Sequence, residues 1–246
     1  MASAFEQWLE KQNGIYQKSF RDQKSAVLQK GLKPDPAIAK RDGGFIVAFR
    51  HPSSISEKIE EFAKNINCLA NLRPVLPYYG EIVHTTIGTV SVGPGFVVDP
   101  DKEDHQRIIN ALWWAVCYVF ADPETCSLDI GPIEINYPEY LFNQTTVIAR
   151  AEPNENFFKG IEAIKEIVKH RTVDLSPSWG AHITVARFTH NVAPGQEGLE
   201  FQFPELCKEA VVPGRSRVAA IDVGSFLVDS GGFSFRTYHR LPFVYH

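Results

Sequence analysis

Apolar residues recur along this chain with two periods that alternate from one segment to the next. Spacings of three and four residues, as in Ile59, Phe62 and Ile66, are typical of an amphipathic helix, and short apolar runs such as "FIVAFR" are typical of a buried strand. The pattern predicts helices over residues 56–72, 99–122 and 155–170. It predicts strands over residues 45–50, 81–92, 95–98, 127–136 and 144–153, a further strand through "HITVARF", and closing strands over residues 217–230 and 236–246.

The first forty residues do not follow this alternation. Residues 3–30 have a broken helical stripe of apolar positions, and the prolines and glycines of residues 31–44 end that region. We predict an N-terminal helical extension over residues 1–42, packed on a main body over residues 43–246. The main body repeats one order of elements, a strand, a helix and a strand that contains histidine, which predicts two related lobes.

Composition limits the possible partners. With 246 residues, 44% of them hydrophobic, the chain can bury a sizeable core, and its net charge of −4 gives no general attraction to nucleic acid or anionic membrane. No uncharged apolar run approaches the ~20 residues that span a bilayer. We therefore expect a soluble, cytoplasmic protein that acts as a monomer and has no membrane partner.

Four of the eight histidines begin an H-x-[Ser/Thr] triplet, so the pattern alone does not identify a site. Pro52 prevents a regular central strand through His51, and His170 falls at a helix C-terminus, where a histidine commonly caps carbonyls. We interpret both as structural. The other two triplets, at His84 and His182, lie inside predicted strands.

On a strand, residues i and i+2 project from the same face. His84 and Thr86 therefore point together, as do His182 and Thr184, and each pair is separated by roughly 7 Å along its strand. The two pairs lie 98 residues apart, at matching places in the two halves. Core histidines beside ordinary strand threonines remain an alternative. The paired arrangement favours a site.

Two imidazoles and two hydroxyls in one cleft suit phosphoryl transfer. A histidine near neutral pH can accept a proton in one protonation state and donate one in the other. Threonine hydroxyls can donate hydrogen bonds to non-bridging oxygens, where charge concentrates in the transition state. No spacing of His, Cys, Asp or Glu predicts a metal site, and we expect neither a metal nor a cofactor.

The two motifs resemble a known family. "HTTI" from His84 and "HITV" from His182 match the paired H-x-[Ser/Thr]-hydrophobic signature of the 2H phosphoesterase superfamily, which includes the bacterial LigT-like RNA 2',3'-cyclic phosphodiesterases. The closing segment, "VGSFLVDSGGFSFRTYHRLPFVYH", is also similar to that family's last strands. The resemblance covers most of residues 45–246 and leaves out the N-terminal forty.

The resemblance implies an α+β, bilobal fold with pseudo-two-fold symmetry, in which antiparallel sheets form a central cleft and the helices lie outside. It implies a metal-independent phosphodiesterase that hydrolyses cyclic phosphates or short phosphodiesters, most commonly 2',3'-cyclic nucleotides or RNA ends. His84, Thr86, His182 and Thr184 would be the catalytic residues. A non-catalytic nucleotide- or RNA-binding module and an RNA-end-joining relative are the alternatives.

Several neighbours of the motifs are weaker candidates for substrate binding. Arg187 can hold a phosphate if its strand end opens into the cleft. Tyr78, Tyr79 and Trp179 precede the motif strands, and we choose Tyr79 and Trp179 as candidates to stack on a base, although packing would also explain them. Tyr238, in the closing segment, is a candidate to border the cleft.

Overall fold

The computed structural model describes residues 2–68, 75–121, 130–195 and 199–244. Within these ranges the helices are α1 (Ala4–Ser19), α2 (Lys24–Lys30), α3 (Pro36–Lys40), α4 (Ser53–Cys68), α5 (Glu103–Phe120), α6 (Glu155–Lys169) and α7 (Leu199–Glu209). The strands are β1 (Gly43–Arg50), β2 (Val75–Pro77), β3 (His84–Ser91), β4 (Glu134–Phe142), β5 (Thr146–Pro153), β6 (Ser176–Pro177), β7 (His182–Phe188), β8 (Gly214–Arg217), β9 (Ala220–Asp229) and β10 (Gly232–Pro242).

The strands of the described residues form one antiparallel sheet made of two halves. The first half has the order β10-β9-β1-β3 and the second β7-β5-β4-β8. The halves meet where β3 pairs with β7, through Thr85 and Ile183. Each half therefore contributes one histidine strand to the centre of the sheet, so the two motifs that are distant in sequence become neighbours.

The pairings around this junction repeat in the two halves. Strand β2 pairs with β7, with Pro77 opposite Ala186, and β6 pairs with β3, with Pro177 opposite Gly88. These pairings exchange under a two-fold rotation about the Thr85–Ile183 pair. The short strand preceding each histidine strand thus extends the other half of the sheet, which locks the halves together.

Both histidine strands also carry a bulge at the same relative position. Ile87 is the extra residue of β3 opposite β1, and Val185 is the extra residue of β7 opposite β5. A bulge changes the alternation of side chains and increases the local twist of a strand. The bulge follows Thr86 or Thr184 directly, so the alternation that pairs each histidine with its threonine is preserved.

The main apolar core lies between the sheet and helices α4, α5 and α6. Phe45, Val47 and Phe49 of β1 all point into it. The helices contribute apolar residues at helical spacing, including Ile59, Phe62, Leu112, Val116, Phe157 and Ile161. Complete burial of each such side chain contributes about 1.5–3 kcal/mol. This packing leaves the other face of the central strands available for the site.

The N-terminal helices pack on that second face and on its margins. Tyr16 and Phe20 form a separate apolar cluster with Leu141 of β4 and Ile148 of β5. Ile38 of α3 belongs to another cluster beside the first half of the sheet. The predicted helix over residues 3–30 is interrupted at Phe20, between α1 and α2, by a turn of 3-10 helix.

One prediction from the sequence pattern is wrong. No strand forms over residues 95–98, which lie within the described range 75–121, because Gly93 and Gly95 have φ of 116° and 71° and turn the chain. Residues 31–44, where prolines and glycines end the first helical region, contain the short helix α3, because Asp35 caps its start by accepting a hydrogen bond from the Ala37 amide and Pro36 occupies the first turn.

Other predicted elements differ from the structure in their presence or their bounds. The sequence pattern did not predict α7 or the extension of β4 to Phe142. Residues 69–72, 122 and 127–129 of predicted elements, together with residues 245–246, lie outside the described residues. In the part of the chain that the structure describes, no helix combines the length and the apolar character needed to cross a bilayer.

Candidate active site

A cleft of about 390 Å³ opens on the sheet face opposite α4, α5 and α6. His84, Thr86, His182 and Thr184 all line it, and so does Arg187. The volume falls within the roughly 300–1,000 Å³ of typical small-ligand pockets. The structure therefore brings together the four residues that the sequence pattern selected.

The register of the central strands sets the arrangement of these four side chains. Because Thr85 lies opposite Ile183, the next positions place His84 across from Thr184 and Thr86 across from His182. Each histidine thus faces the threonine of the other motif. In a regular ladder the two diagonal histidines have Cβ atoms roughly 7–8 Å apart, which leaves a phosphate-sized space between their rings.

Both imidazoles are held in the same tautomer. Nδ1 of His84 lies 2.6 Å from the carbonyl oxygen of Ile82, and Nδ1 of His182 lies 3.2 Å from that of Gly180. A carbonyl oxygen only accepts, so Nδ1 carries the hydrogen in each ring. Nε2 of each neutral ring is therefore left with a free lone pair, suited to accept a proton.

The reactive atoms are also unengaged. Within the described residues, neither Nε2 atom and neither hydroxyl of Thr86 and Thr184 has a hydrogen-bond partner, while every buried side-chain nitrogen and oxygen there has one. These four atoms must therefore reach the open cleft. They offer a ligand two acceptors and two donors.

Burial keeps both imidazoles neutral at pH 7. Burial lowers the pKa of His84 to about 3, assisted by the positive charge of Arg50, its cross-strand neighbour on β1. Burial also lowers the pKa of His182 to about 4. An anionic ligand between the rings would favour the protonated form, so the protonation state of the cleft responds to phosphate.

Each imidazole is stacked on an aromatic ring. His84 lies 5.3 Å from the ring centroid of Phe233, with an interplanar angle of 19°, and His182 lies 4.4 Å from Trp179, with an angle of 20°. Trp179 is itself stacked on Phe20, at 6.3 Å. The observed contacts of Trp179 orient His182, and its stacking on a substrate base stays a prediction.

Arg187 places a cation at the cleft wall. Its Nε donates to the Tyr78 hydroxyl at 2.8 Å, and its Nη1 donates to Asp35 at 2.6 Å. Burial lowers the pKa of Arg187, but Tyr78 and Asp35 outweigh it and the net pKa is raised. Within the described residues Nη2 has no hydrogen-bond partner, so this nitrogen is free to bind an anion.

Two weaker candidates lie away from the cleft. Tyr79 packs against the main core, and Tyr78 lines the cleft in its place. The Tyr238 hydroxyl bonds to Ser225 at 3.0 Å, and its ring also packs against the main core. Successive side chains of extended backbone point to opposite sides, so only one of Tyr78 and Tyr79 can face the cleft. The sequence contains no signal for which of the two does so.

The other two histidine triplets have structural surroundings. His51 is buried, where Nδ1 contacts the Ser216 hydroxyl at 3.2 Å and Nε2 contacts the Thr85 hydroxyl at 3.0 Å. Tyr137 completes this network, 2.7 Å from the Thr85 hydroxyl. His170 is exposed at the C-cap of α6. Among the described residues, no cluster of three or more His, Cys, Asp or Glu could hold a metal ion.

Comparisons with known proteins agree on the fold at low sequence identity. No protein-family model matches the chain, and no curated protein matches it. The conserved protein of unknown function ATU0111 from Agrobacterium tumefaciens is 11% identical with a TM-score of 0.53, over 83% of this chain and 93% of that chain. TT0787 of Thermus thermophilus is 14% identical with a TM-score of 0.51, over 81% and 97%.

Escherichia coli LigT complexed with 3'-AMP also matches, with 10% identity and a TM-score of 0.47, over 81% of this chain and 97% of that chain. At such identities a likeness concerns the fold alone. The Agrobacterium and Thermus matches, which have TM-scores above 0.5, carry the conclusion. The chain therefore shares the fold of the Agrobacterium and Thermus proteins.

Proposed function

We propose that this protein is a metal-independent phosphodiesterase that hydrolyses cyclic phosphates or short phosphodiesters, with 2',3'-cyclic nucleotides or RNA ends as its substrates. One observation carries the proposal. Two imidazoles in the same tautomer and two unengaged threonine hydroxyls share one open cleft, and each histidine faces the threonine of the other strand.

This arrangement suits in-line displacement at phosphorus. One neutral Nε2 takes a proton from water as the water oxygen bonds to phosphorus. The other imidazole, protonated, gives its proton to the ribose oxygen as the bond from phosphorus to that oxygen breaks. For a cyclic phosphate the product is a nucleotide with a single terminal phosphate. Acid and base catalysis each contribute roughly 10²–10⁴-fold.

The transition state places additional charge on the non-bridging oxygens. Thr86 and Thr184 donate hydrogen bonds to those oxygens, and Arg187 supplies a positive charge through its free Nη2. Acid, base and charge stabilisation are thus all supplied by side chains of the cleft, which is the basis for proposing metal-independent hydrolysis.

The surroundings of the two histidines differ enough to suggest their roles. The positive charge of Arg187 disfavours protonation of both imidazoles, whereas that of Arg50 acts on His84 alone, so we assign His84 as the base. His182 lies against the indole of Trp179, whose face attracts a positive charge more strongly than the phenyl ring of Phe233 beside His84. His182 is therefore the acid that protonates the leaving oxygen.

The size and charge of the cleft favour a short substrate. A volume of about 390 Å³ accommodates a mononucleotide or the terminal nucleotide of a chain. Phe226 and Phe233 provide an apolar wall for a base. A net charge of −4 gives no long-range attraction for a polyanion, so the end of an RNA is a better substrate than its interior.

The direct test is incubation of the purified protein with the four 2',3'-cyclic mononucleotides in excess chelator, followed by ³¹P NMR. We expect hydrolysis, and the spectrum distinguishes a 2'- from a 3'-phosphate product. His84→Asn and His182→Asn should each abolish turnover, whereas the matched control His170→Asn, in an exposed triplet of the same kind, should retain it.

Two results would contradict the proposal. Absence of hydrolysis across cyclic mononucleotides, short RNAs with cyclic ends and 2'-5' oligonucleotides would exclude the proposed activity. Calorimetry that then showed nucleotide binding without product would select the binding module instead. Full activity in both histidine variants would refute the assigned roles.

A further inference from the structure

Two side chains of α1 bind the backbone at the entrance to the His182 strand. The β5–β7 ladder ends at the pair of Arg150 and His182. Beyond it, the Gln12 side-chain amide donates to the carbonyl of Ala151 at 3.2 Å, and its oxygen accepts from the amide of Ala181 at 2.6 Å. The Gln12 amide thus bridges the two strands where backbone pairing stops.

Tyr16 completes the same arrangement one turn further along α1. Its hydroxyl donates to the carbonyl of Ala181 and accepts from the amide of Ala151 at 3.4 Å. The amide and carbonyl of Ala181, the residue before His182, are therefore both bound by side chains of α1. Gln12 is 1% exposed and Tyr16 is 0% exposed, so these bonds are shielded from competing water.

The same helix region also supports the ring beneath His182. The rings of Tyr16 and Trp179 meet edge-to-face with centroids 5.3 Å apart, and Phe20 stacks on Trp179. Trp179 in turn stacks on His182. Contacts from residues 12–20 thus reach the imidazole by two routes, through the backbone of Ala181 and through the indole.

Close packing at Gly180 shows how tightly Gln12 is seated. A Cβ built on Gly180 would lie 2.7 Å from the Gln12 side-chain oxygen, which is closer than atoms in contact allow. Gly180 also provides the carbonyl that receives Nδ1 of His182. The segment that orients the imidazole therefore has little space in which to move.

The first half of the sheet holds His84 in another way. The amide of Val83 bonds to the carbonyl of Gly80 within a 3-10 turn, and the carbonyl of Val83 lies 3.5 Å from an Arg50 nitrogen. Within the described residues, both hydrogen bonds of the Val83 backbone come from Gly80 and Arg50, and neither comes from α1. The support from α1 is specific to His182.

We infer that α1 is a positioning element for His182, in which Gln12 and Tyr16 hold the Ala181 backbone and the Trp179 ring and so set the direction of Nε2. Neither residue lines the cleft. The expected effect on the rate rests on the proposed function, whereas the effect on the orientation of the His182 ring does not. A misplacement of about 1 Å in a reacting group can cost ~100-fold in rate.

The test combines kinetics with NMR of labelled imidazoles in the full-length protein. Gln12→Met and Tyr16→Phe remove the hydrogen bonds but keep most of the side-chain volume. Gln17→Met is the matched control, since Gln17 lies on the same helix but is exposed. We expect each of the first two variants to lower kcat by ~10–100-fold with little change in KM, because an acid that protonates the leaving group acts in the transition state.

NMR separates positioning from general destabilisation. We expect the His182 ring resonances and their pH titration to change in Gln12→Met and Tyr16→Phe, with His84 unchanged as the internal reference. Unchanged His182 resonances, or equal changes in both rings, would overturn the inference. If the parent protein hydrolyses nothing, the proposed function fails, yet the ring titrations still decide whether α1 positions His182.

Discussion

Thr85 of β3 lies directly opposite Ile183 of β7, and this pair joins the two halves of the sheet. Both side chains are completely buried. Because residues alternate across a strand, their neighbours on either side, a histidine and a threonine on each strand, must face the cleft. The position of the candidate site thus follows from one cross-strand pair.

The adjacent threonines of β3 should respond oppositely to the same substitution. Thr86→Val removes a hydroxyl that is unengaged in the cleft, so we expect a ~10²–10³-fold loss in kcat with little loss of stability. Thr85→Val removes a hydroxyl bonded to Tyr137 and His51, so we expect a loss of about 1–3 kcal/mol in the free energy of unfolding with kcat retained.

Steady-state kinetics and urea denaturation of the two variants check this contrast. Thr184→Val, on the partner strand, should behave as Thr86→Val does. An active Thr86→Val enzyme together with an inactive but stable Thr85→Val enzyme would mean that the strand faces have been assigned incorrectly.

The roles proposed for the two histidines predict different dependence on the leaving group. A phosphodiester with a nitrophenol leaving group needs no proton on the departing oxygen, so His182→Ala should retain much of its activity on that substrate. His84→Ala should lose activity on activated and ordinary substrates alike, since the attacking water still needs a base. The measurement is the ratio of kcat/KM for the two substrates in each variant, and the reverse pattern would exchange the assignments.

The ion pair between Asp35 and Arg187 predicts a separation of stability from phosphate binding. Arg187→Met leaves the carboxylate of Asp35, 5% exposed, without its cation, so we expect lower stability and weaker binding of a phosphate-containing product. Adding Asp35→Asn removes the unpaired charge. The double variant should recover stability but not affinity.

Thermal denaturation and calorimetry with a nucleoside monophosphate measure the two effects. Recovery of affinity in the double variant would show that Arg187 acts only as a structural partner of Asp35.

Buried neutral histidines predict a loss of stability in acid. The pKa values of His51 and His84 are both lowered to about 3, chiefly by burial, so the unfolded chain binds protons near pH 6.5 while the folded protein binds them only near pH 3. The stability that the two neutral imidazoles contribute above pH 6.5 is therefore lost as the pH falls from 6.5 towards 3. Each residue contributes a slope of about 1.4 kcal/mol per pH unit within that window.

Urea titrations between pH 7 and pH 4 measure this slope. His51→Asn should lower the slope by about 1.4 kcal/mol per pH unit, which is the contribution of one proton. A slope unchanged by that substitution would contradict the burial of a neutral imidazole at this position.

Local pattern was sufficient to predict the elements that carry the motifs. The alternation around His84 and His182 places each histidine on the same face as its threonine, and this requires only a strand. The glycines that turn residues 93–95 and the Asp35-Pro36 start of α3 were also visible in the sequence. The predicted strand over residues 95–98 does not form because the two glycines turn the chain there.

The supporting residues of the site could not be predicted in this way. Asp35 reaches Arg187 across 152 positions of sequence, and Tyr16 reaches Ala181 across 165. Tyr78 and Tyr79 are chemically identical neighbours, and only the direction of the backbone places one of them in the cleft. No short-range periodicity contains this information.

The sequence by itself determined that two H-x-Thr strands exist and that each presents an imidazole and a hydroxyl on one face, because side-chain alternation is a local property of extended backbone. Only the tertiary structure decided that the two faces meet in one cleft, that burial keeps both imidazoles neutral, and that the N-terminal helix holds the second of them. These features depend on which distant segments pack together, and packing is set by the whole chain.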